Sequence, residues 1–232
     1  MTQIPPVEGI AEKHLEFLKG VDSPTIANAI EPFKVRDRTE GFIGGEVKSL
    51  FPEMPPMVGI ALTVRMTNRP GPTAPREPWF DMFEALGEIP APSVLVVQDI
   101  SGHASRVALA GEVMATLAKR LGAVGMVTDG GLRDVHEVRA LGFGYFAKYL
   151  VVSHANFDIV DIGNPITLDG QVVRTGDILH GDANGIVIVP REVLDGLPAA
   201  VEEVRTRERA TMDFINSPEY TIAEAKKRAG YK

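Results

Sequence analysis

The chain has 232 residues, 44% of them hydrophobic and 24% charged, the balance of a globular protein able to bury a sizeable core. Acidic side chains number 31 and basic ones 24, a net charge of −7 that argues against a general binder of nucleic acid or anionic membrane, since both need a surplus of Lys and Arg. The absence of cysteine excludes disulfides, thiolate metal sites, iron–sulfur clusters and a cysteine nucleophile.

No apolar run approaches the ~18–20 residues of a membrane helix. Residues 1–9 hold two prolines and a glutamate instead of a basic stretch followed by an apolar one, so a cytoplasmic location is expected. Apolar residues at 10, 11, 14, 15, 17 and 18 predict a helix over 10–19. A second short helix follows over 25–30, capped by Asp22 or Ser23 with Pro24 in its first turn. Residues 41–56, rich in Gly and Pro, read as an irregular connection. A strand is expected over 60–66, and a loop over 68–78, which carries four prolines. A short helix over 79–86 and a buried strand over 93–98 (SVLVVQ) come next.

The central segment alternates helix over 111–121, strand over 125–128, a turn at Asp129-Gly130-Gly131, and helix over 133–141. Strands are expected over 145–147, 150–153 and 157–162, then over 166–168, 171–174 and 186–189, with a hairpin turn at Asp169-Gly170. An amphipathic helix covers 191–209, and a last one starts near Thr221, which forms a capping box with Glu224. The alternation predicts an α/β unit with a parallel crossover, and the hairpins predict a mixed sheet or two facing sheets. No repeat or interdomain linker is visible, so one compact domain is expected.

One stretch gathers the chemistry. Glu112 opens one predicted helix and Arg133-Asp134 the next, with a strand between them. In an open α/β arrangement both helix starts then face one crevice at the strand ends. The free N–H groups of a first helical turn, here those of Val113 and Met114 after Gly111, suit a small carboxylate. Gly130 and Gly131 allow a sharp turn and close approach of a ligand. Asp134 is a hard oxygen ligand. Arg133 is a permanent cation with planar donors for carboxylate or enolate oxygen. Glu112 adds a second acid. One carboxylate with several waters suffices for Mg²⁺, and a 2-oxo acid held there would have its enolate stabilised when a C–C bond breaks. The same residues also read as a helix cap beside solvated charges.

Glu112, twenty intervening residues, Arg133-Asp134 and then Glu137 resemble the signature of the metal-dependent 4-hydroxy-4-methyl-2-oxoglutarate/4-carboxy-4-hydroxy-2-oxoadipate aldolase family, whose members are called RraA-like and include the regulator of ribonuclease E activity. SPTIANAI (23–30), GIALTVR (59–65), residues 94–99, GLRDVHEVRALGFGYFA (131–147) and TGDILHGDANGIVIVP (175–190) are similar to the family in character and order. The resemblance covers about residues 20–210 and departs from the family at Ala110, where a Trp is frequent. It implies a swivelling α/β/β/α layered domain resembling a phosphohistidine domain, with mixed sheets. A single RraA-like domain would fill 1–232, with helical extensions at both ends. It further implies a homotrimer or homohexamer with sites between subunits, and Mg²⁺ or Mn²⁺ on Asp134. Arg133 and the backbone at Gly111, Val113 and Met114 would hold a pyruvate moiety, with Glu112 in the outer metal shell.

The resemblance therefore implies a lyase that cleaves a 4-hydroxy-2-oxo acid to pyruvate and a carbonyl product, with oxaloacetate decarboxylation as a second reaction. A small-molecule oxo acid is the expected partner, not nucleic acid or membrane. The alternatives are a non-catalytic regulator of the ribonuclease E type, or a lyase or isomerase of a different sugar acid. His103 near the crevice could touch substrate, and Arg69 and Arg76 flanking the proline loop could bind a second carboxylate of a dicarboxylic substrate, but the solvated reading is favoured for all three, as a structural or solvated one is for Asp177 and Asp182 in a Gly-rich turn and for the charges at 202–208. Lys119 and Lys148 show no desolvated pocket of the kind an imine mechanism needs.

Overall fold

The computed structural model of the chain describes residue 4 and residues 6–230. Its helices are α1 (Glu12–Lys19), α2 (Ser23–Ile30), α3 (Glu77–Glu88), α4 (Glu112–Arg120), α5 (Val135–Ala140), α6 (Leu197–Ile215) and α7 (Ile222–Arg228). Its strands are β1 (Phe42–Ile43), β2 (Lys48–Ser49), β3 (Met57–Asn68), β4 (Ser93–Asp99), β5 (Ala108–Ala110), β6 (Ala123–Thr128) and β7 (Gly131–Leu132). They continue as β8 (Gly144–Ala147), β9 (Tyr149–Leu150), β10 (Phe157–Ile162), β11 (Ile166–Leu168), β12 (Gln171–Val173), β13 (Ile178–Asp182) and β14 (Gly185–Val189). None of the described helices is long and apolar enough to cross a membrane.

A 9-stranded mixed sheet runs β1-β14-β13-β3-β4-β6-β8-β2, with β10 also paired to β3. β3, β4, β6 and β8 are mutually parallel, and the other pairings are antiparallel. The run SVLVV explains why β4 is central. Leu95 and Val97 point into a core shared with α3, α4 and α5, while Val94 and Val96 point into one shared with the β11–β12 hairpin. A strand covered on both faces reads as a continuous apolar run. A third core packs α1, α2 and α6 over β13 and β14. β3 is long enough to serve two partners. Its first residues pair with β13 and its last with β10, where Arg65 Nη1 meets Asp161 at 2.8 Å.

The mixed α/β class and the mixed sheet agree with the sequence. Several elements differ from it. β5 and β13 have no counterpart among the expected strands, because Ala108–Ala110 is too short for a pattern and Ile178–Asp182 contains Gly and His. Asp182 consequently ends a strand and is buried, with Oδ2 accepting the Ser23 amide at 2.8 Å, while α2 is capped by Asp22, which accepts the Thr25 amide at 2.9 Å. The connection 41–56 contains β1 and β2, and the strand expected over 150–153 shrinks to Tyr149–Leu150. The helix expected over 191–209 is a 3-10 turn at Arg191–Val193 followed by α6, since Gly196 and Pro198 reset the helix start. α5 begins at Val135, two residues later than expected.

Beyond the carboxyl ends of β4, β6 and β8 lies a small parallel sheet, β5-β7-β9. β5 leads into α4 and β7 into α5, so this sheet aims both helix starts at one place. Its tightness explains the Gly130-Gly131 pair better than a turn does, for neither glycine has a positive φ. A Cβ on Gly131 would lie 2.5 Å from the Val107 carbonyl oxygen and 2.6 Å from Val151 Cγ2, and one on Gly130 would lie 2.7 Å from Leu109 Cδ1. Gly131→Ala therefore forces backbone apart and is expected to cost about 1–3 kcal/mol, measured by urea unfolding. Wild-type stability for this variant would mean that the small sheet is not tightly held.

Candidate active site

Asp134 is the N-cap residue of α5, yet its carboxylate does not cap α5. Its backbone is left-handed, with φ of 58°, a conformation that Asp tolerates better than most residues. Oδ2 instead accepts the Glu112 amide at 2.9 Å and so caps the neighbouring helix α4. Arg133 Nε stands 3.6 Å from the same oxygen, and Arg133 Nη1 donates to the Val152 carbonyl at 3.4 Å. The Arg133 amide donates to the Ala110 carbonyl at 3.1 Å, which fixes the register between the segments leading into the two helices. Gly111 must be glycine here, because a Cβ would lie 2.3 Å from Asp134 Oδ2 and 3.0 Å from Arg133 Nε.

These groups open into a cavity of about 340 Å³. Gly111, Val113, Met114, Arg133 and Asp134 all line it. Glu112 contributes its amide, while its side chain is exposed and outside the lining. α4 has 9 residues and no side-chain cap of its own. Glu112 N–H is taken by Asp134, which leaves the amides of Val113 and Met114 for a ligand, with the helix dipole behind them. Among the described residues no three His, Asp or Glu side chains converge as a ready-made metal cage. A partly exposed carboxylate in an open cavity suits a hard cation that keeps most of its water, so Asp134 is the residue that could hold one.

Of the rest of the lining the sequence singled out Arg76 but not Trp79, His154, Asn156 or Phe157. Trp79 and Arg76 reach the cavity from the start of α3, and His154, Asn156 and Phe157 from the connection into β10. Nothing in local periodicity links segments so far apart in the chain. His103 and Arg69 do not line the cavity, and neither do the two lysines. Lys119 is bonded to the Leu141 carbonyl, and Lys148 is paired with Glu46 at 2.5 Å and Asp169 at 3.6 Å.

This arrangement is that of an α/β protein with an open cavity between two helix starts. The chain belongs to the RraA-like family: the family's profile, described as Aldolase/RraA, matches residues 23–188. The chain is 33% identical over 139 residues to a Halalkalibacterium halodurans protein named "Putative 4-hydroxy-4-methyl-2-oxoglutarate aldolase", a match covering 58% of this chain and 63% of that one. A protein of the same name from Azotobacter vinelandii is 36% identical over 101 residues, covering 42% and 60%. The matched region thus spans less than two thirds of either relative. A crystal structure of a Pseudomonas syringae pv. tomato protein aligns with a TM-score of 0.71 at 21% identity, over 98% of this chain and 99% of that one. Streptomyces coelicolor RraAS2, described as an unusual member of the RNase ES inhibitor RraA family, aligns at 0.68 with 21% identity, over 88% and 98%. These structures share the fold, and the two named relatives carry the name "Putative 4-hydroxy-4-methyl-2-oxoglutarate aldolase".

Directly behind the Gly130-Gly131 pair, Asp129 Oδ1 accepts the Asp99 amide at 2.7 Å. Burial pushes the Asp129 carboxyl up to about 6; the Asp99 carboxylate adds to the rise, and the Asp99 amide and Lys148 oppose it. Free Asp titrates near 3.8, so between about pH 4 and pH 6 the folded protein holds a proton that the unfolded chain has lost. The stability contributed is full below 3.8 and is lost as the pH rises through about 6. Asp129→Asn keeps an acceptor for the Asp99 amide and removes the charge. It is expected to stabilise the protein by on the order of 1–3 kcal/mol at about pH 8, with the gain vanishing below about pH 4. Urea unfolding at the two pH values checks this, and a gain independent of pH would refute it.

Proposed function

We propose that the chain is a divalent-metal-dependent lyase that cleaves a 4-hydroxy-2-oxo acid to pyruvate and a carbonyl compound, and that it also decarboxylates oxaloacetate. The observation that supports this most is the bond from the Glu112 amide to Asp134, which sets a carboxylate, a guanidinium and two free helix-start amides around one cavity. The amides of Val113 and Met114 bind the substrate carboxylate, continuing the backbone path from Gly111. Arg133 donates to the 2-oxo oxygen and meets the negative charge that grows there as the C3–C4 bond breaks. Asp134 would hold Mg²⁺ or Mn²⁺ through its free oxygen, with Glu112 in the outer shell. When bound, such a cation supplies Lewis acidity at the oxo acid.

The electron pair of the breaking bond enters the pyruvate enolate, and the 4-hydroxyl loses its proton as C4 becomes a carbonyl carbon. Loss of CO₂ from oxaloacetate leads to the same enolate, so one site serves both reactions. We also propose an oligomer, homotrimer or homohexamer, with sites near subunit contacts. In support, Leu150 and Val152 beside the cavity are 61% and 90% exposed, an apolar surface suited to association.

Pyruvate release from oxaloacetate by the purified protein with Mg²⁺ is the first test. Activity is expected to vanish with EDTA and return with added metal; an unchanged rate after complete chelation would refute the mechanism. Arg133→Ala is expected to lower kcat/KM about 10²–10³-fold, as loss of an oxyanion donor does. Asp134→Ala is expected to weaken metal binding, read by calorimetry. A folded Arg133→Ala protein with wild-type kcat/KM removes Arg133 from the reaction.

A further inference from the structure

The cavity is larger and more apolar than pyruvate alone requires. Its 340 Å³ falls within the ~300–1,000 Å³ typical of pockets that enclose whole drug-sized ligands. Arg133, Asp134 and the α4 amides occupy one end. The remaining wall holds Trp79, Phe157 and Pro75 together with the polar residues Thr73, Arg76, His154 and Asn156. The aromatic part of this wall is fixed in advance. Trp79 is wedged edge-on against Phe83 at 4.7 Å and Phe80 at 5.1 Å, and His154 stands edge-on to Phe157 at 6.4 Å. The proline loop that carries Trp79 toward the cavity is tied down by Asn156, whose Nδ2 donates to the Gly71 carbonyl at 2.8 Å and whose amide donates to Asn68 Oδ1 at 3.0 Å.

Two of the polar groups on that wall are already engaged. The Asn156 amide group is engaged by the loop, and His154 Nδ1 donates to the Ala155 carbonyl at 2.7 Å. Arg76 lines the cavity and is exposed. An aromatic ring placed here would bury its faces against fixed aromatic neighbours, whereas a second carboxylate would have to reach the exposed Arg76.

We infer that the cavity takes 4-hydroxy-2-oxo acids whose departing carbonyl half is an aryl or similarly bulky hydrocarbon group, seated against Trp79 and Phe157. This inference rests on the lyase reading above and names its substrate class. The reaction is a retro-aldol cleavage. For 4-hydroxy-2-oxo-4-phenylbutanoate the C3–C4 bond breaks, its electron pair forms the enolate, and the hydroxyl proton leaves as the C4 carbonyl of benzaldehyde forms. The enolate then takes a proton at C3 to give pyruvate.

Trp79 is the single tryptophan of the chain and so reports on its own contact. Metal-loaded protein is titrated with two uncleavable ligands, 4-phenyl-2-oxobutanoate and 2-oxoglutarate, following Trp79 fluorescence and, in parallel, calorimetry. The phenyl ligand is expected to bind about 10-fold tighter or better and to shift the emission, and the same order is expected in kcat/KM for the matching 4-hydroxy substrates. Trp79→Leu, with Phe157→Ala as the second variant should the first fold poorly, is expected to reduce the phenyl preference about 10-fold by calorimetry. Tighter binding of 2-oxoglutarate, or a phenyl preference untouched in a folded variant, overturns the assignment. Oxaloacetate decarboxylation is measured alongside. Its absence together with a phenyl preference refutes the lyase reading and leaves the aryl site standing as a binding site, while its presence without a phenyl preference does the reverse.

Discussion

The bond from the Glu112 amide to Asp134 joins the starts of α4 and α5, and the rest of the candidate site is arranged around it. A side chain at the head of one helix ordinarily caps that helix. The left-handed backbone at Asp134 turns the carboxylate toward the neighbouring helix instead. A negative charge then sits at the positive end of α4, Arg133 is drawn toward the same oxygen, and two α4 amides remain for a ligand. Gly111 is the steric condition for this arrangement, since no side chain fits between the two helix starts.

The large sheet makes that local geometry rigid. β4 and β6 are apolar on both faces, and the carboxyl ends of β4, β6 and β8 deliver the chain to the three short strands that carry the site. Two-residue strands such as β7 and β9 have no stability of their own. They persist because Gly130 and Gly131 let neighbouring strands and side chains close to a distance at which a methyl group would collide. Close packing at the base therefore sets the position of Arg133 and Asp134 at the rim.

Electrostatics and shape divide the cavity into two ends. The inner end concentrates fixed donors and one carboxylate in a setting where water is already partly excluded, which strengthens each interaction with a small anion. The aromatic part of the outer wall, Trp79 and Phe157, comes from segments that have no part in the helix-start motif. The Asn156 bonds join the proline loop and the end of β3 to the segment before β10 and hold that wall in place before a ligand arrives.

Much of the fold was legible in the residues themselves. SVLVVQ, the apolar spacing of 113–121 and the Asp169-Gly170 hairpin are local patterns, and each folds as its pattern indicates. The nearness of Gly111, Glu112, Arg133 and Asp134 was legible too, because a strand between two helices leaves their starts on one side. The sequence could not reveal that Asp134 caps the wrong helix, that Glu112 offers its amide while its carboxyl faces solvent, or that Trp79, His154 and Phe157 share the pocket. Those facts depend on long-range packing across the sheet, and the energy of such contacts is not written in the periodicity of any one segment. By itself the sequence determined the elements and the chemical types of the site; tertiary structure decided which atoms face one another, because only the closed core brings the distant segments to contact distance.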